Sequence, residues 1–159
     1  MRRLAIVAVL VLVVMLAIRW YRAPERVIRR QLLAGVEAFE SEDLLGTIRI
    51  FSRAYEDDWG NTYESLGANV SEVHEVFDDL EVALDLGGIE VGERTARVPL
   101  EMTVLGAAEG ERGYIIGSLP DPVSMIVLWR QEPQGWRITS VDDLDIPELR
   151  DELEERRRR

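Results

Sequence analysis

The residues best able to do chemistry crowd into one stretch, Tyr55-Glu56-Asp57-Asp58-Trp59-Gly60-Asn61, just ahead of an apolar-periodic segment. A carboxylate in an apolar pocket is raised toward the range of a useful general base, and Asp57 or Asp58 is where that would apply. The plainer expectation is a solvated turn whose acids complement the positive end of the following helix. His74, the only histidine, falls one residue beyond Val73 at the border of an apolar stripe, where a packing histidine is expected before a proton shuttle. The candidate ligand-contacting residues are therefore Tyr55, Asp57, Asp58, Trp59 and His74, and no catalytic residue is assigned. Arg97 and Glu101 share one face of a strand pattern and read as outward ion-pair partners. Trp129 and Trp136 flank a hairpin signal and read as sheet packing.

Composition removes several chemistries. The absence of cysteine excludes disulfides, thiolate metal sites and thiol catalysis, and a lone histidine among scattered carboxylates supports no metal site. No cofactor is expected. A chain of 159 residues, 47% hydrophobic and 31% charged, suits one domain with a real core. All 19 basic residues are arginine, and the formal charge of −11 hides a segregation. Residues 1–30 carry seven Arg and one Glu, residues 31–155 eight Arg and 29 acids, and the last four residues are Arg. So acidic a body repels nucleic-acid phosphates, which excludes DNA and RNA as expected partners. A lysine-free acidic surface also suits high salt, although GC-rich coding explains arginine in place of lysine equally well.

These residues must be held by elements that the patterning outlines. Residues 4–18 are fifteen apolar residues without a charge, preceded by Arg2 and Arg3 and followed by Arg19, Trp20, Tyr21 and Arg22. As a helix they reach roughly 22 Å, short of a roughly 30 Å hydrocarbon core, with interfacial aromatics and snorkelling arginines to cover the difference. A cleaved signal peptide is the competing reading, but Met15 stands where a small residue is preferred before cleavage, so an uncleaved single-pass anchor in contact with lipid over residues 4–21 is expected. Arginine counts on the flanks favour a cytoplasmic body. The short basic start followed at once by the apolar run favours an extracytoplasmic one, and that side is the expectation.

An amphipathic helix is expected from Pro24 to about residue 40, and a short second helix over 43–51. A third over 62–80 would be capped by Asn61 and Glu64. From residue 81 the period changes to two. Ala96, Val98, Leu100, Met102 and Val104 fall on one face of a strand and Thr95, Arg97, Glu101 and Thr103 on the other, and Pro99 points to a bulge or an edge. Residues 107–113 read as a polar link, 123–129 as a central strand, and Glu132-Pro133-Gln134-Gly135 as the turn to its partner. Helices first and strands afterwards make an α+β fold with helices on one face of an antiparallel sheet. The organisation expected is an anchor over 1–22, an α+β domain over 23–147 and a charged tail over 148–159.

This order of elements resembles the nuclear transport factor two-like (SnoaL-like) superfamily, and its bacterial membrane-tethered members in particular. The resemblance is carried by Asp43-Leu44-Leu45 opening the second helix, Phe51-Ser52 closing it, the run from Tyr55 to Asn61 before the third, and Gly135-Trp136-Arg137-Ile138 in the last strand. It implies a cystatin-like cone of three helices packed on a curved antiparallel sheet, an apolar pocket at its mouth, and homodimers through the open sheet face. It also implies a test for enzymes of that fold. The proton-shuttling Asp of its isomerases would fall on Asp57 or Asp58, but their oxyanion Tyr has no counterpart between Val27 and Glu40. A non-catalytic, membrane-tethered domain binding an apolar small molecule or partner protein is the expected function; an isomerase or cyclase using a pocket Asp, or a dimerising envelope scaffold, are the competitors.

Overall fold

The computed structural model of the chain describes residues 23–145, with side chains through 142. The apolar run over residues 4–18 and the charged tail lie outside the described residues, and none of the described helices is long and apolar enough to cross a membrane. Three helices precede six strands: α1 (Pro24–Glu40), α2 (Leu44–Ile48), α3 (Tyr63–Val76), β1 (Asp78–Leu86), β2 (Glu90–Val91), β3 (Thr95–Ala108), β4 (Glu111–Ile116), β5 (Val123–Glu132) and β6 (Gly135–Asp145). The strands form one antiparallel sheet in the order β1-β3-β5-β6, with β2 and β4 also paired to β3.

Proline in the first turn starts α1, and Ile28, Leu32 and Gly35 form its buried face. Asp43 caps α2 by accepting from the Gly46 amide at 3.0 Å. The two helices meet through small residues: a Cβ on Gly46 would lie 2.8 Å from that of Ala38, and one on Gly35 would lie 2.7 Å from Ile50 Cδ1. Glu40 at the end of α1 accepts from the Val82 amide at 2.7 Å, which ties the helix to β1 beside a register shift where Asp79 takes φ 50°. Further register shifts in the β3–β4 and β5–β6 ladders bend the sheet.

The two-residue periodicity decides which face is core. Cross-strand pairs Ala96–Trp129, Val98–Val127 and Leu100–Met125 point toward the helices, and Ile28, Leu32, Tyr55, Trp136 and Ile138 join them in one cluster. Arg97, Glu101 and Arg130 lie on the other face and are exposed. By contrast, no residue of α3 is buried, although Tyr63 and Leu66 pack against the core.

Three boundaries differ from expectation. The third helix ends at Val76, because Phe77 is already extended and Asp78 opens β1; steps of three and four can continue by chance into a strand. Pro99 sits in the central strand β3, paired with Ile126, rather than at an edge. Its carbonyl accepts from Gly87, just after β1 ends, so its missing N–H falls in the gap before β2 and costs no ladder bond. The link expected over 107–113 is instead a tight hairpin, because Glu109 (φ 54°) and Gly110 (φ 86°) supply the two left-handed residues that a two-residue turn needs.

Candidate functional site

The acidic-aromatic stretch is pinned to the free edge of β6. Ile138 N–H donates to Ile50 O at 2.9 Å, Ser52 N–H to Ile138 O at 2.7 Å, and Glu56 N–H to Thr139 O at 3.2 Å. Ser52, 2% exposed, donates its hydroxyl to Glu132 Oε1 at 2.6 Å and accepts from the Ala54 amide. With its backbone fixed there, Tyr55 is driven into the core, 4% exposed and edge-on to Phe51 at 5.2 Å.

Asp57 organises the turn that leads into α3. Its Oδ2 accepts from the Tyr55 hydroxyl at 2.9 Å and from Asn61 Nδ2 at 2.9 Å, and its Oδ1 from the Trp59 amide at 3.0 Å and the Asn61 amide at 2.9 Å. Gly60 closes the turn at φ 79°. Asn61 in turn accepts from Asn69 Nδ2 at 3.3 Å, coupling the turn to α3. With its donors on Asp57 and its Oδ1 accepting from Asn69, Asn61 does not cap the helix. Thr62 does, in a reciprocal box with Ser65 rather than Glu64.

These contacts set the electrostatics. Burial pushes the Asp57 carboxyl up, but the hydrogen bonds from Asn61, Tyr55 and Trp59 together outweigh it and hold the group below the usual carboxylate range. Tyr55 goes the other way: burial, then its bond to the Asp57 carboxylate and the charges of Asp57 and Asp142, push its phenol well above the ordinary tyrosine value. An ionised acid bound to a neutral phenol satisfies both. Four donors leave the carboxylate committed as an acceptor, the opposite of a general base held near neutrality.

Tyr55 and Asp57 are thus brought together; the other candidates are not. Asp58 and Trp59 project from the turn, with Trp59 48% exposed. His74 lies in the last turn of α3, roughly 16 Å of helix from its start. There its Nε2 meets the Phe39 carbonyl at 3.0 Å and its ring stacks obliquely on Phe39 at 5.2 Å, closing the end of α1. Among the described residues no group of three or more His, Asp or Glu is placed to hold a metal ion. Sequence reasoning gave Asn61 a capping role instead of its place on Asp57, and missed Asn69 and Asp142. The Asp-x-x-Gly-Asn spacing was the available signal for Asn61, since a turn with a left-handed glycine folds the amides back onto the aspartate.

The outer face of the sheet carries two shallow grooves. One, of about 490 Å³, lies among Asp85, Pro99, Glu101, Ser124 and Ile126; the other, of about 480 Å³, lies among Glu90, Arg97, Leu128 and Arg130. Asp85 stands directly opposite Glu101, a like-charge pair at one end, while Arg97 and Arg130 occupy the other.

Similarity to solved structures agrees with this architecture. A nuclear transport factor two-like superfamily protein from Salmonella enterica superposes with a TM-score of 0.61 at 15% identity, over 76% of this chain and 88% of that one. A candidate scytalone dehydratase from Novosphingobium aromaticivorans gives 0.63 at 13% identity, over 74% and 80%. A domain of unknown function with a cystatin-like fold from Nostoc punctiforme gives 0.62 at 14%, over 84% and 85%. The fold is cystatin-like, of the nuclear transport factor two type. No protein-family model matches the sequence, and no curated protein does. Structures sharing this fold include a dehydratase candidate and proteins without assigned activity, so the fold by itself selects neither catalysis nor binding.

Proposed function

We propose that this chain is a membrane-tethered, non-catalytic binding domain whose cone interior takes an apolar small molecule. The observation that carries the reading is a contrast within one wall of the cone. Asp57, the carboxylate joined to a core tyrosine, is saturated by donors and held ionised. Meanwhile α3, bearing the stripe Tyr63, Leu66, Val70 and Val73, has no buried residue. On the sheet, Leu84, Met102 and Met125, which pack against the core, are also only partly buried. Apolar surface left half-covered inside a fold gains by covering, at about 25 cal/mol per Å². The apolar run over residues 4–18 would hold this mouth close to a bilayer, where apolar molecules concentrate.

Native mass spectrometry of the full chain purified from membranes tests the reading. A bound apolar molecule that is lost in a folded Val70→Trp variant supports it. A chain that carries no adduct, and takes up none from a lipid extract, opposes it.

A second copy docked on the outer sheet face is the reading favoured by the charge rows. A two-fold axis near Pro99, Ile126 and Leu128 would set the Asp85–Glu101 end of one copy against the Arg97–Arg130 end of the other. Such a dimer leaves both cone mouths open.

A further inference from the structure

We propose that the outward face of α1 is a docking surface for the anionic headgroups of the bilayer that holds the chain, so that the body lies on the membrane by this helix. The proposal rests on the tethered reading above and adds an orientation to it. Ile28, Leu32 and Gly35 turn α1 toward the core. Around the other side run Arg26, Arg29, Arg30, Leu33 and Glu37, which with Ala34 line a shallow groove of about 360 Å³. Arg29, Arg30 and Leu33 are exposed, Leu33 by 51%, a bare leucine among guanidinium groups. That is the composition of an interfacial helix face: arginine stems and a leucine to enter the headgroup layer, charges to meet phosphates.

Position and charge point to lipid as the occupant. Pro24 follows the apolar run by six residues, at most about 20 Å of chain. Arg26 to Arg30 fall in the first two turns after it. Surface attraction fades over about 8 Å at physiological salt, so basic residues act on a bilayer only when a linker this short keeps them against it. The body beyond this helix is unfavourable to an anionic surface: residues 31–155 carry 29 acids against eight arginines, and the only other basic run, the four terminal arginines, is far from the apolar run in sequence.

The absence of cysteine permits a clean test, because Leu33→Cys creates a single labelling site in the full chain. With a polarity-sensitive fluorophore there, the chain is placed in nanodiscs of phosphatidylcholine alone or mixed with phosphatidylglycerol. The proposal expects a blue shift only in the anionic discs. High salt should reverse it, and R26Q/R29Q/R30Q should weaken docking by roughly a hundredfold, about fivefold per arginine. R29Q/R30Q, altering only exposed positions, should give an intermediate loss, and a label at Leu45→Cys should remain aqueous. Identical emission in both lipids, with the chain embedded, overturns the proposal and leaves the tether standing. Failure of the chain to embed overturns the tether and the proposal together. A shift produced by soluble polyglutamate but not by anionic lipid assigns the face to an acidic protein and overturns the proposal as well.

Discussion

Tyr55 donates its hydroxyl to Asp57 across 2.9 Å, and this one bond explains why the most chemically promising carboxylate in the chain is a structural clamp. The phenol is anchored in the core, the acid sits in the turn that launches α3, and the bond fixes one to the other. Asp57→Ala would strand a buried hydroxyl and two backbone amides. The expected loss is about 2–3 kcal/mol of unfolding free energy, measured by urea denaturation at neutral pH. Its folded value lies below that of the unfolded chain, so the contribution is present above about pH 4 and is lost as pH falls below that. The variant should therefore show a shallower acid limb; an unchanged limb would mean that the clamp does not operate.

Tyr55 predicts the alkaline side. A phenol whose folded value is raised stabilises the fold fully below the unfolded tyrosine value of about 10, and that stability drains away as pH climbs beyond it. Tyr55→Phe should cost about 1 kcal/mol at neutral pH yet lose less on going to high pH, so the two stability curves converge. Parallel curves would contradict the assignment.

On the outer face, Thr103 is 4% exposed and its hydroxyl has no hydrogen-bond partner among the described residues. Replacing such a group by a methyl of the same shape removes an uncompensated desolvation. Thr103→Val is expected to leave the thermal midpoint unchanged or raise it, with a gain of up to about 1 kcal/mol. A clear drop would reveal a partner for the hydroxyl.

Glycines separate the close-packed helix pair from the loosely packed third helix. At Gly46 a Cβ would collide with the Asp43 carboxylate that caps α2 and press on Ala38, so Gly46→Ala should destabilise by about 1–3 kcal/mol. At Gly67, inside α3, nothing lies within 4 Å, and Gly67→Ala should stabilise by about 0.5–1 kcal/mol. Calorimetry on both variants checks the pair, and equal effects would show that α3 is packed more tightly than its exposure indicates.

The proposed dimer is tested through the charges of its outer sheet face. If Glu101 of one copy meets Arg130 of another, Glu101→Arg alone should dissociate the dimer by about tenfold or more, and combining it with Arg130→Glu should restore it. Sedimentation velocity in matched detergent decides; a double variant no better than the single one removes the dimer.

Much of the fold was legible because burial imposes strict periods. The alternation through Ala96, Val98 and Leu100 named the core face of β3, and the Glu132-Pro133-Gln134-Gly135 turn located the β5–β6 hairpin. What escaped was set by partners distant in sequence. Pro99 looked like an edge residue because nothing local shows that β1 stops opposite it. Asn61 looked like a cap because its alternative partner, Asp57, became available only through the left-handed turn at Gly60. Phe77 and Leu80, three residues apart, fit a helical step, and only the positive φ at Asp79 and the ladder to β3 show that the chain is already extended there. The site was legible as a place but not as a chemistry: two of the four donors to Asp57 are backbone amides, which no side-chain pattern records.

Binding without catalysis requires that Asp57 be an acceptor already in use. Monitoring the Asp57 carboxyl carbon of the full chain by NMR across the acid range reads this directly. Titration below the ordinary aspartate value of about 3.9 is the result predicted. A transition between about pH 5 and 7, where a working general base would titrate, would contradict it and favour an enzyme.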